Sequence, residues 1–358
     1  MKIKRPTLII NESIVRENIR KMVERANGWN VNFRPHFKTH HSHEIGRWYR
    51  EAGVTSITVS SVSMARYFME DGWKDITIAF PYNSLEWEEI NDIAGKISLN
   101  ILIESVEALD HAKEHLSHPL GYFIEIDSGS NRTGLSANDF EVIRELSTGT
   151  TDTLTCRGFL SHAGHTYAAR SEKEILQIHN RSLKKVLDIR DSIDSRLMIS
   201  YGDTPSASIA EDFSMIEEVR PGNLVYYDLA QAQIGSCTET DIGVALACPV
   251  VSVHPQKGKM VVYGGAVHLS KDRIEVNGRT LFGRVVHFTD HGWKIADDLL
   301  VDRLSQEHGV IEGPSEKIKS YKIGDVIGIL PVHSCLTSDL MTAQQTLDGK
   351  IITKMTKI

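Results

Sequence analysis

Long apolar runs are missing from these 358 residues, and so is any basic tract. Forty Lys and Arg stand against 47 Asp and Glu, a net charge of −7, so a nucleic-acid partner has no electrostatic support. No apolar stretch approaches the ~18 residues needed to cross a bilayer. The opening Met1-Lys2-Ile3-Lys4-Arg5-Pro6 is not followed by the apolar core of a signal sequence, because Asn11 and Glu12 interrupt it. The expectation is a cytoplasmic protein without membrane or nucleic-acid partners. Cysteine is scarce as well: the four residues at 156, 237, 248 and 335 show no close pairing. In a reducing compartment they read as buried thiols, and any exception as a ligand or nucleophile.

What is present is a regular alternation. Strand-like runs fall at 31–37, 55–60, 75–80, 97–103, 121–127, 154–161, 196–201 and 224–228, with helical patterns near 40–52, 62–72, 84–94, 105–116, 137–147 and 171–192. Asn11 looks like the N-cap of a helix reaching Gly28, and 205–219 is at most partly helical. Eight strands alternating with helices predict a (β/α)₈ barrel. The competitor, a doubly wound open sheet, announces itself by a glycine-rich phosphate turn after its first strand, and Lys38-Thr39-His40 is not one. After about residue 236 the texture changes. The segments 245–253, 259–264, 280–288 and 326–330 alternate or run β-like with Gly and Asp at the turns. We therefore expect a barrel over 11–235 and a mainly β domain over 236–358, with the N-terminal strand of 1–10 pairing with the latter.

In such a barrel, chemistry collects where strands end. The first strand runs through Arg34-Pro35-His36-Phe37 and ends in Lys38. A lysine there is either solvated or held in a site. Held and partly desolvated, its amine can serve as a Schiff-base nucleophile. Asp127-Ser128-Gly129-Ser130-Asn131-Arg132 follows the fifth strand, and Ser161-His162-Ala163-Gly164-His165-Thr166-Tyr167 the sixth. Tyr201-Gly202-Asp203-Thr204-Pro205-Ser206 follows the seventh, where unpaired N–H groups at a helix start suit a phosphate as well as an ordinary capped turn. Arg132 could bind a phenolate or carboxylate, or lie on the surface. Tyr167 is either a stacking partner or a rim aromatic.

Two metal readings arise. Histidines 36, 40, 41 and 43 are spread across a strand end and a helix start with only Glu44 to join them, which makes them the weaker one. In Pro331-Val332-His333-Ser334-Cys335 the imidazole and thiol stand at i and i+2, which in an extended segment is one face. A borderline-soft ion suits that N and S pair. On these residues alone, a buried free cysteine beside an exposed histidine is the preferred explanation.

Taken together, these motifs resemble the fold-type III pyridoxal-phosphate enzymes, in the D-serine dehydratase and D-threonine aldolase branch related to alanine racemase. Arg34 to His40, the 127–132 loop, Gly164-His165-Thr166-Tyr167, the 202–206 turn, Arg220-Pro221-Gly222-Asn223 and Pro331 to Cys335 occur in the family's order over nearly the whole chain. The resemblance implies pyridoxal 5'-phosphate carried on a catalytic Lys38. It implies a cofactor pocket of Lys38, Arg132, His162, Tyr167, Tyr201, Gly202, Asp203 and Thr204, with Arg132 at the phenolic oxygen and the 202–204 turn at the phosphate. It implies an activating metal on His333 and Cys335, Zn²⁺ first and Mn²⁺ as the substitute, and a homodimer. His41 stands where the family pattern has lysine, and no residue is assigned to the pyridine nitrogen. The implied activity is lysis of a D-3-hydroxy amino acid. Dehydration of the D-serine type is preferred to D-threonine-type aldol cleavage, and both to a racemase or a non-catalytic cofactor carrier.

Overall fold

The computed structural model describes residues 3–342 and 344–356. Residues 1, 2, 343, 357 and 358 of the expected β domain lie outside the described residues. The chain divides into two compact units: one comprises the segment through Ile19, Thr39–Ile45 and everything from Asn223 onward, and the other Arg20–Lys38 and Gly46–Gly222. Among the described residues no helix is long and apolar enough to cross a membrane, and all four cysteines are free thiols.

The first strand, β1 (Thr7–Ile10), belongs to the first unit. The second unit is the barrel. Its strands are β2 (Asn32–Phe33), β3 (Ile57–Val59), β4 (Asp75–Pro81), β5 (Ser98–Ile103), β6 (Leu120–Glu125), β7 (Leu154–Ser161), β8 (Met198–Tyr201) and β9 (Glu218–Val219). All pair in parallel, in the order β2-β9-β8-β7-β6-β5-β4-β3. Inside, Leu102, Phe123 and Leu160 from three successive strands make a buried layer with Ala79 and Met198, the side-chain filling expected of a barrel this size. The sheet curls until its two edges meet: a bridge joins His36 to Thr58, and Thr58 gives its N–H to Pro35 O and its hydroxyl to Arg34 O.

One strand lies elsewhere than its sequence suggested. The run 224–228 is not the eighth strand; Asn223–Val225 is a 3₁₀ turn, and Asp228 caps the short helix Leu229–Ile234. Asn223 O accepts both Tyr226 N–H and Tyr227 N–H, which winds the chain instead of extending it. The eighth position is taken by β9, two residues long, just before Arg220-Pro221-Gly222.

The barrel's seam is held by charge. Arg34, from the end of β2, donates Nε–H to Glu218 Oε2 at 2.5 Å and grips Asp75 through two bonds of 2.7 and 3.1 Å. Burial works against this guanidinium, but the carboxylates of Glu218 and Asp75 raise its pKa above the ordinary arginine value. Glu218 also accepts from Asn32 and from Ser200 Oγ at 2.6 Å.

In the first unit the β domain is a nine-stranded sheet. Its later strands are β10 (Val244–His254), β11 (Lys259–Tyr263), β14 (Gly283–Thr289), β15 (Gly292–Leu304), β16 (His308–Glu312), β17 (Val326–Pro331), β18 (Gln344–Thr346) and β19 (Ile351–Ile352), with β12 (Ile274–Val276) and β13 (Arg279–Leu281) forming a separate hairpin. As expected, the N-terminal run joins it: β1 pairs antiparallel with β10 and parallel with β18. Strand β15 escaped the sequence reading because its charged residues leave most of it partly or fully exposed.

Replacing Glu218 by Ala leaves Arg34 buried without its inner partner. We expect about 3–5 kcal/mol of lost stability, the range for breaking a buried pair from one side, read as a lower urea midpoint by tryptophan fluorescence.

Candidate active site

In the barrel unit, Phe37 fixes the place of Lys38. Its ring is fully buried among Tyr49, Phe68 and Trp73 at centroid distances of 5.0, 4.9 and 5.2 Å. The chain turns there in a 3₁₀ segment, Lys38 N–H donates to His36 Nδ1 at 3.3 Å, and the lysine side chain is the exposed one between buried neighbours. Bland solvation would leave it isolated. Instead, the charges of Lys38, Arg220 and Arg132 all act on His162.

His162 follows β7, and its Nδ1 donates to Gly202 O at 2.5 Å. Burial first, then the charge of Lys38, pushes its pKa down to about 3, so the ring is neutral and Nδ1 holds its proton. Tyr167 OH accepts from Thr204 N–H at 3.2 Å, bridging the turn after β7 to the turn after β8. Asp203 is the N-cap of the short helix Thr204–Ile209: Oδ1 accepts from Ser206 N–H at 2.7 Å and from Thr166 Oγ1 at 2.9 Å. Burial raises its pKa to about 6. Asp203 therefore shapes the turn with its carboxyl, while Gly202 N–H donates to Ser161 O at 3.1 Å and Thr204 N–H reaches the phenol of Tyr167.

Two glycines set how closely this rim is packed. A Cβ on Gly202 would lie 2.8 Å from Arg220 N, and one on Gly222 would lie 2.8 Å from His36 O. Tyr201 differs from its expectation. Its side chain is fully buried, with His179 at 5.6 Å and Phe213 at 6.3 Å, so its ring is a core group and only its backbone belongs to the rim. Arg132 is exposed on a loop held from below, where Asp127 accepts from Gly129 and Asn131 N–H, and Thr133 Oγ1 donates to Glu125 Oε1 at 2.9 Å.

The reading of single residues missed Arg220. Only 4% exposed, it donates Nε–H to Ser200 Oγ at 2.6 Å and Nη2–H to Ser161 O at 2.7 Å. Burial lowers its pKa to about 10 against the pull of Glu218 and Glu125, so it remains a cation. Its place in Arg-Pro-Gly after a strand was the one available signal. A cup with Lys38, Arg132 and this buried arginine suits a ligand carrying negative charge, and the donor set fits pyridoxal phosphate.

The first unit holds the second constellation. His333 and Cys335 do not share a strand face. β17 ends at Pro331, His333 is the extended N-cap of the helix Ser334–Leu340, and Cys335 lies in its first turn. The turn nevertheless brings imidazole and thiol near enough for each to act on the other's charge. Burial opposes charge on both. The partnership prevails, lifting His333 to about 9 and drawing the Cys335 thiol below its usual range. Thr39 Oγ1 lies 3.2 Å from Cys335 Sγ, and Asn223 Nδ2 donates to the sulfur at 3.4 Å. Buried Asp228 accepts from Asn223 Nδ2, Ser334 N–H and Ser334 Oγ, and Asn223 Oδ1 is buried without a partner. A polarised thiol against an imidazole fits a borderline-soft divalent ion. Among the described residues no group of three or more His, Cys, Asp or Glu could hold one. The histidines near Lys38 form no alternative: His40 is fully buried, its Nδ1 accepts Ser42 N–H, and burial holds its pKa well below the usual value.

Comparison with known proteins gives this arrangement its class. The family model for the alanine racemase N-terminal domain matches residues 10–230, and the serine dehydratase domain model matches 243–346. The chain belongs to the alanine racemase N-terminal domain family, the fold-type III pyridoxal-phosphate enzymes. With the dehydratase domain behind it, it is a pyridoxal-phosphate-dependent lyase. Among curated proteins it is similar to the D-serine dehydratase of Dictyostelium discoideum, 28% identical with 97% of this chain and 94% of the other aligned. It is also similar to the D-threo-3-hydroxyaspartate dehydratase of Delftia sp. HT23, 26% identical over 97% and 96%. Among solved structures, an alanine-racemase-like protein from Idiomarina loihiensis superposes with a TM-score of 0.89 at 26% identity, covering 99% of this chain and 98% of that one.

The neutral state of His162 has a measurable sign. An unfolded histidine takes up its proton near pH 6.5 and the folded one only near 3. The unfolded state therefore binds more protons between those values, and stability falls as pH falls through that window. His162→Gln keeps a donor for Gly202 O but cannot titrate. In cofactor-free protein, denaturant midpoints at pH 7 and pH 5 should differ less for the variant than for wild type.

Proposed function

We propose that this chain is a metal-activated D-3-hydroxy amino acid dehydratase, with D-serine as reference substrate and a keto acid and ammonia as products. The observation that carries the reading is the placing of His333 and Cys335 on one helix start, with Thr39 Oγ1 and Asn223 Nδ2 against the sulfur and Asp272 against the imidazole. A racemase moves a proton at Cα and has no use for a soft-metal site. Elimination must turn a hydroxyl into a leaving group, which calls for a Lewis acid.

Bound pyridoxal phosphate supplies an electron sink for the charge that develops at Cα. On this reading Lys38 would hold the cofactor and, with its amine free, would take the Cα proton on Nζ. Arg132 would donate to the phenolic oxygen, and Tyr167 and His162 would line the ring. The turn at Gly202, Asp203 and Thr204 would receive the phosphate at a helix start. His333 and Cys335 would hold the divalent ion, Zn²⁺ before Mn²⁺, which would supply Lewis acidity toward the substrate hydroxyl. We further place the enzyme in the cytoplasm as a homodimer, a state that sedimentation at working concentration checks.

The test is product identification. D-serine should yield keto acid and ammonia, and chelator should abolish turnover while the cofactor absorbance stays. Lys38→Ala should lose the cofactor band and activity together. Cys335→Ser should keep the band but lose metal, and with it several kcal/mol of Lewis-acid stabilisation, at least about 100-fold in rate. Glycine and acetaldehyde from D-threonine, with no keto acid from D-serine, would assign aldol cleavage instead. A wild type without metal and indifferent to chelator would return the chain to the racemases.

A further inference from the structure

We infer that Asp272 is the positioning residue of the metal pair: its carboxylate accepts a hydrogen bond from Nδ1–H of His333 and so presents Nε2 of that ring as the ligand atom. The inference rests on the metal reading above. Asp272 Oδ2 lies 3.1 Å from His333 Nδ1. An ionised carboxylate can only accept, so the proton of a neutral His333 is drawn to Nδ1 and the lone pair is left on Nε2. Metal-bound histidines need this arrangement, because an acceptor on the far nitrogen fixes the tautomer, stops the ring from rotating and raises its basicity.

The carboxylate is itself held. Ser270 Oγ donates to the same Oδ2 at 2.9 Å and accepts Asp272 N–H at 3.2 Å. Ser270 adopts a left-handed φ of 68° to close the helix Ala266–Leu269. That helix is tied to the histidine's own element: Leu269 O accepts from Thr337 Oγ1 at 3.3 Å, within the helix Ser334–Leu340 that His333 caps. The carboxylate and the ring it orients thus stand on two bonded helices, and their separation of 61 positions along the chain is irrelevant to their alignment.

Asp272 is not a ligand on this geometry. It bonds to Nδ1, and the two ring nitrogens aim their lone pairs toward opposite sides of the imidazole. Both side chains are 40% exposed, so water competes for the contact. The effect of losing it should be a graded weakening, unlike the loss of a ligand.

The experiment uses full-length protein loaded with pyridoxal phosphate, stripped of metal, and titrated with Zn²⁺ against a chromophoric competitor. Asp272→Ala should weaken Zn²⁺ binding about 10- to 100-fold, and Asp272→Glu should recover part of it. Cys335→Ser should lose more than either. Metal-free Asp272→Ala should keep the wild-type thermal midpoint and cofactor absorbance. Wild-type affinity in Asp272→Ala, with Cys335→Ser impaired, overturns the inference and leaves the metal reading standing. A loss in Asp272→Ala as deep as in Cys335→Ser makes Asp272 a ligand and also overturns it. So does a lowered midpoint in metal-free Asp272→Ala without recovery in Asp272→Glu, which would assign a structural role. Wild type and Cys335→Ser equally indifferent to Zn²⁺ would remove the metal reading itself.

Discussion

A buried arginine needs its counter-charges in place, and in this barrel Arg34 obliges distant parts of the chain to meet. Its guanidinium draws Asp75 from the start of β4 and Glu218 from β9, and Glu218 in turn takes the hydroxyl of Ser200 on β8. Ser200 passes the chain of bonds to Arg220. The strands at this seam, β2 and β9, are two residues long each and offer few ladder hydrogen bonds, so side-chain charge does work that backbone pairing does elsewhere in the sheet. The linkage begins four residues before Lys38 and ends at Arg220. The cationic rim and the closure of the barrel are therefore one electrostatic construction.

The same local device appears in both units. Asp203 and Asp228 are buried carboxyls, each the N-cap of a six-residue helix, each with its pKa raised by burial and tempered by hydrogen bonds. The same Oδ1 of Asp203 also accepts from Thr166, next to Tyr167, while Oδ2 is buried without a partner. Asp228 uses its remaining capacity on Asn223 and Ser334, which flank the thiol of Cys335. A capping carboxyl satisfies the orphan N–H groups of a short helix and, being buried, fixes the neighbouring loop more firmly than a solvated cap would. Both constellations are thereby placed on turns that are hard to deform.

Much of this could be read without coordinates. β4, β5 and β7 are apolar runs of six to eight residues with turns at both ends, so their pattern survives in the sequence. The eighth strand did not survive, because Leu224-Val225-Tyr226-Tyr227 is as buried as any strand while Pro221, Gly222 and the doubly used carbonyl of Asn223 wind it. Glu218-Val219 is too short and too polar to announce itself. Lys38, His333 and Cys335 stood out through residue type and position. Arg220 and Asp272 could not, since their partners Ser200, Ser161 and His333 come near only when the chain is folded. Tyr201 was named for its adjacency to the glycine turn, but alternation along β8 turns its ring toward the helix layer, against His179 and Phe213.

The tight packing at Gly202 and Gly222 bears on how this enzyme could diversify. At each position any side chain would run into opposing backbone, that of Arg220 or of His36, and backbone cannot step aside as a flexible side chain does. Neither site is open to substitution in a library, however permissive the selection. Sequence change can reach the rim without dismantling the barrel on the exposed loop side chains around it, at the cost of whatever contact each one makes, as Tyr167 does with Thr204. A new preference among substrates would have to be written there, around two fixed points that carry no side chain at all.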